Sequence, residues 1–78
     1  MKVRYVGKSF GAVGLTNGVV YECIGIDSDT GLLRIIDDSG EDYLYPPKRP
    51  RPFDNSSPGG RWEIVEDDDK RSLEKLIG

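Results

Sequence analysis

Five short stretches of the chain carry strand character, and each is closed off by Gly, Asp, Ser or Pro clusters, the spacing of a small sandwich or barrel. The first runs from Lys2 to Gly7, with Val3 and Tyr5 turned one way and Lys2, Arg4 and Val6 the other. A glycine-rich loop from Gly7 to Gly14 follows, and Asn17-Gly18 supplies the positive-φ residue that a tight turn needs. The second strand, Val19 to Ile26, is apolar on both faces: Val19, Tyr21 and Cys23 on one, Val20, Ile24 and Ile26 on the other. Gly25 gives it a place to bend.

Asp27 to Gly31, DSDTG, reads as a hairpin loop, because Asp and Ser bond local amides and the final Gly accepts a left-handed backbone. Leu32 to Asp37 is then the third strand, Asp38 to Glu41 a second turn, and Asp42 to Tyr45 a fourth strand stopped by Pro46 and Pro47, which cannot donate to a ladder. The segment from Pro46 to Gly60 holds all five prolines and little apolar material, so it is expected to be a long surface loop. Arg61 to Glu66, with Trp62 and Ile64 on one face, is the fifth strand. Beyond it, Asp67, Asp68 and Asp69 sit where acids complement a helix start, and Leu73, Leu76 and Ile77 follow at helical spacing. The expected division is a β-barrel over 1–66, with a proline-rich basic loop at 46–60, and a helix or tail over 67–78. So short a helix does not hold alone in water, and docking of its Leu73, Leu76, Ile77 stripe on the barrel is favoured over fraying.

Composition narrows this picture in three ways. Seventy-eight residues allow one core, and the twenty Val, Ile, Leu and Phe residues suffice to fold it. Cys23 is the sole cysteine, so no internal disulfide staples the domain; its apolar neighbours make it a strand residue rather than a reactive thiol. Neither a signal-peptide run nor a membrane-length apolar stretch is present, which makes the cytoplasm the expected location and the membrane no partner. The net charge of −3 argues against nucleic acid as the main partner.

The stretch LTNGVVYECIGIDSDTGLLRIIDDSGEDYLYPP resembles a group of short proteins of Gram-positive bacteria and their mobile elements. Their shared pattern is a Gly-x-x-Tyr-Glu strand followed by a DDSGEDYLYPP-like hairpin. The resemblance covers roughly Val3 to Trp62 and is most specific from Asp37 to Pro47. It implies a small five-stranded antiparallel SH3-like barrel, as the order of the strands also suggests, and it transfers no activity and no functional residue. The basic proline-rich insertion after Pro47 and the helical tail depart from the pattern.

Candidate chemistry is sparse. Without histidine, Ser-His and Cys-His nucleophile arrangements are excluded, and the carboxylate pairs Asp37/Asp38 and Glu41/Asp42 flank a turn, where Asp commonly caps backbone amides. The glycines match no nucleotide-binding signature, and Cys/His clusters for zinc are absent. Asp27, Asp29 and Gly31 resemble the opening of a calcium loop, but the Gly and Glu positions of that pattern are not met. No enzyme activity and no cofactor are expected. Two surfaces remain. In SH3 domains aromatics line the ligand groove, so Phe10, Tyr43, Tyr45, Pro46 and Trp62 are candidates for a peptide-binding shelf. The competing reading puts Trp62 and one of the tyrosines in the core, and it is favoured because a domain with seven aromatics can spare few. Lys48, Arg49 and Arg51, interleaved with prolines and joined by Arg61, form a candidate basic contact; a stiff solvated loop explains the prolines equally well. The function expected is a non-catalytic binding module for protein or peptide, with nucleic-acid binding through the basic loop 48–61 as the alternative.

Overall fold

A computed structural model describes residues 1–11, 14–52, 54 and 56–77. Five strands, β1 (Lys2–Gly7), β2 (Val20–Ile26), β3 (Leu33–Ile36), β4 (Asp42–Tyr45) and β5 (Gly60–Glu66), precede one short helix, α1 (Ser72–Ile77). All pairings are antiparallel, and the strands form a single sheet in the order β4-β3-β2-β1-β5. Alternation places one side chain in two on the inner face, and the cross-strand neighbours there are Val3 with Tyr21, Tyr5 with Trp62, Cys23 with Ile35, and Leu33 with Tyr45. All eight are buried, together with Phe10, Leu15 and Leu73.

The barrel expected from the sequence is reached only as far as this one sheet. β4 and β5 are its edges and share no ladder. The physical reason lies at the end of β4, where Pro46 and Pro47 bring no amide hydrogen to continue pairing. Side chains span the gap instead. The Trp62 indole N–H donates to the Pro46 carbonyl at 3.0 Å, and the Tyr45 and Trp62 rings meet edge-on with centroids 6.3 Å apart.

Two irregularities shape the strands. The register between β2 and β3 shifts between Cys23 and Gly25, at the glycine where a bend is expected, and this lets Ile26 pack on the core although Cys23 already faces it. Val20 and Ile24, on the outer face of β2, are exposed, because nothing packs over that face among the described residues. On β5, Trp62 is buried whereas Ile64 stays partly exposed, next to a register shift at Lys2/Val3.

The loop between β4 and β5 keeps Lys48, Arg49, Arg51, Asp54 and Ser56 exposed, but two of its residues turn inward. Pro50 is wholly buried, its carbonyl accepts from the Gly60 N–H at 3.1 Å, and Ser57 is buried with its hydroxyl accepting from the Gly59 N–H. Glycine makes the approach possible: a Cβ on Gly59, whose φ is +74°, would lie 2.0 Å from the Pro50 carbonyl oxygen.

The helix docks. Asp67 accepts from the N–H groups of Leu73 and Glu74, Asp68 accepts from the Ser72 N–H and hydroxyl, and Leu73 is fully buried, with Leu76 and Ile77 half-buried against the core. It is neither long nor apolar enough to cross a membrane.

Candidate functional site

Alternation along β3 continues past its last paired residue: Leu33, Ile35 and Asp37 point to the same, inner side and all three are buried. Asp37 therefore carries a carboxylate into the interior at the end of the sheet. Its Oδ2 accepts from the Tyr45 hydroxyl at 2.7 Å, and its Oδ1 accepts from the Ser39 N–H at 2.9 Å and from the Ser39 hydroxyl. Asp38, facing the other way, ties this hairpin to the first loop. Its carboxylate accepts from the Tyr21 hydroxyl at 2.7 Å and the Thr16 hydroxyl at 2.8 Å, while its N–H donates to the Gly14 carbonyl. The role of turn cap expected for this pair thus falls to Asp37, through the Ser39 N–H, while each of the two carboxylates anchors a tyrosine. Burial first, and donation to the carboxylate second, push the Tyr45 hydroxyl well above the ordinary tyrosine pKa; the same two causes raise Tyr21.

Asp37, Ser39 and Tyr45 also border a cleft of about 270 Å³, lined further by Phe10, Tyr43 and Arg51, with Gly11, Gly14 and Pro52 completing its lining. Besides the turn that carries Asp37 and Ser39, three segments meet there. Phe10 comes from the first loop, where it is pinned by a bridge to Leu15, and a Cβ on Gly14 would strike its carbonyl and ring. Tyr43 and Tyr45 come from the edge strand β4, opposite Ile35 and Leu33. Arg51 and Pro52 come from the proline-rich loop. The Phe10 and Tyr45 rings lie 6.5 Å apart at 48°, both almost covered, while Tyr43 is 46% exposed and donates its hydroxyl to Glu41 at 3.2 Å.

Of the five aromatic-shelf candidates, Phe10, Tyr43 and Tyr45 come together on this cleft; Pro46 and Trp62 do not line it. Trp62 is a core residue at 3% exposure, its indole N–H engaged with Pro46. Of the basic candidates, only Arg51 reaches the cleft. Lys48, Arg49 and Arg61 are exposed elsewhere, with Arg61 3.2 Å from Glu63 and Arg49 in a left-handed turn (φ +53°) whose carbonyl accepts from Arg51. Asp37, expected from the sequence only to cap a turn, and Ser39 also line the cleft; the spacing Leu33, Ile35, Asp37 carries the signal for the first. Asp27, considered above for calcium, spends its carboxylate on the Thr30 N–H and hydroxyl. Among the described residues no group of three His, Cys, Asp or Glu side chains is placed to hold a metal ion.

Compared with protein families, curated proteins and solved structures, the chain matches none.

Proposed function

We propose that this chain is a small non-catalytic binding module that takes a short peptide in the cleft between Phe10, Tyr43, Tyr45 and Arg51. The observation that carries the reading is the convergence of aromatics from the first loop and the edge strand on one concave surface. At about 270 Å³ the cleft falls just under the roughly 300–1,000 Å³ of sites that enclose a whole small molecule, which suits one or two side chains of a longer ligand. The exposed Tyr43 ring beside it offers the kind of rigid, amphipathic surface that dominates interface energetics. The sheet order, with β5 returning beside β1 and the β2-β3-β4 meander on the other side, supports an SH3-like architecture.

Titration of the labelled full chain with proline-rich peptides tests the proposal. Saturable shifts confined to Phe10, Tyr43, Tyr45 and Arg51 are expected, and Tyr43→Ala should weaken binding roughly ten-fold. Nucleic-acid binding through Lys48, Arg49, Arg51 and Arg61 is the competing proposal. Retention on heparin that falls steeply with salt, with a silent cleft, would select it instead.

A further inference from the structure

The charges around the cleft narrow the class of group it can take. Asp37 is 6% exposed, yet it forms no ion pair among the described residues. Three neutral donors, the Tyr45 hydroxyl and the N–H and hydroxyl of Ser39, occupy its oxygens. Neutral donors satisfy lone pairs without cancelling the charge, and buried charges are ordinarily paired. Asp38 and Glu41, on the same hairpin end, likewise accept from hydroxyls and pair with no cation among the described residues. Much of the remaining lining is aromatic, and the rings of Phe10, Tyr43 and Tyr45 carry the negative end of their quadrupoles on their faces.

Among the described residues, Arg51 is the one cation on the lining. It is exposed and turned back to the Arg49 carbonyl at 3.1 Å. A ligand cation at Asp37 meets a charge held in place by burial and three hydrogen bonds, whereas the exposed Arg51 side chain is free to carry its charge out into solvent.

Building on the peptide reading above, we infer that the cleft takes the cationic head of a lysine or arginine side chain, an alkylammonium or guanidinium group. The carboxylate of Asp37 neutralises the head, and the methylene stem lies against Phe10 and Tyr43.

Four fragments of similar length, n-butylammonium, n-butylguanidinium, 1-pentanol and pentanoate, titrated at constant ionic strength into the labelled full chain, test the assignment. One or both cations should shift the Phe10 and Tyr43 ring signals and the Asp37 carboxyl carbon saturably, at least about ten-fold more tightly than pentanol. Which cation does so tells lysine from arginine. Arg51→Gln, an exposed change that spares the fold, should tighten the cations further, and Tyr43→Ala should weaken them. Pentanol binding as well as the cations, or pentanoate binding best and failing in Arg51→Gln, overturns the cation assignment while leaving a binding cleft. Silence from all four overturns both the cleft and its assignment.

Discussion

Two residues show how much of this fold depends on what is absent from a side chain. Gly40 and Gly59 both have left-handed backbones, with φ of +80° and +74°, but a Cβ on Gly40 meets open space whereas one on Gly59 lies 2.0 Å from the Pro50 carbonyl oxygen. Gly40→Ala should therefore cost only the left-handed penalty, about 1–2 kcal/mol. Gly59→Ala adds an overpacking cost of about 1–3 kcal/mol, because the Pro50 backbone must move. Urea midpoints with unchanged slopes check the difference, and equal losses would mean the loop yields without resistance. Cys23 makes the complementary point. It is 1% exposed, burial pushes its thiol above the usual range, and its Sγ donates to the Gly25 carbonyl. A thiol-specific reagent at pH 8 should leave it untouched in the native protein and modify it fully in urea.

Elements in this chain hold each other rather than themselves. Helix α1 has six residues, far below the length at which an isolated helix persists. It survives through Asp67 and Asp68, which satisfy its first amides, and through Leu73, which it buries. Asp67→Ala should release the first turn: Leu73 and Glu74 amides exchange faster and Tm falls by several degrees, while β1 and β2 amides keep their protection. Uniform loss of protection across the sheet would instead make α1 part of the cooperative core. Much of this was legible in the sequence. The acids before the apolar helix stripe, the alternation in β1, and the bend at Gly25 are all local signals, and the structure follows each. The inward turn of the proline-rich loop at Pro50 was not legible, because that burial depends on Gly59 and Gly60 admitting a distant backbone. The absence of a β4-β5 ladder was equally hidden: Pro46 and Pro47 end β4 visibly, but where that end falls relative to β5 is set by how far the sheet curls.

Across the whole molecule the candidate site was half legible for a similar reason. Aromatic residues could be named, but whether each faced the core or the cleft depended on packing, which took Trp62 inward and left Tyr43 at an open edge. The same packing governs how stability responds to pH. Hydrogen bonds from Thr30, Arg34, Ser56 and Ser72 hold Asp27, Asp42, Asp54 and Asp68 below the ordinary carboxylate range. A lowered native pKa gives stability that is intact above about pH 4 and lost as pH falls through the native value. The tyrosines act with opposite sign. Burial raises Tyr5, Tyr21 and Tyr45, and the bond to Glu41 raises Tyr43, so each keeps its proton in the native state where the unfolded chain gives it up. Their contribution is intact below about pH 10 and lost as pH climbs beyond it. With no histidine in the chain, no side chain has an ordinary pKa near 6.5 to tilt the interval between these limits. The urea midpoint should therefore stay level from about pH 5 to 8 and fall below the carboxylate limit. Above that interval it should begin to fall near the ordinary thiol pKa, because buried Cys23 keeps a proton that the unfolded chain gives up, and fall further beyond the tyrosine limit. On the alkaline side, tyrosinate absorbance and loss of near-ultraviolet circular dichroism should rise together, since Tyr45 and Tyr21 can ionise only by surrendering Asp37 and Asp38. Tyrosinate forming fully while the dichroism persists would show that these hydroxyls are not the ties that hold the hairpin to the sheet.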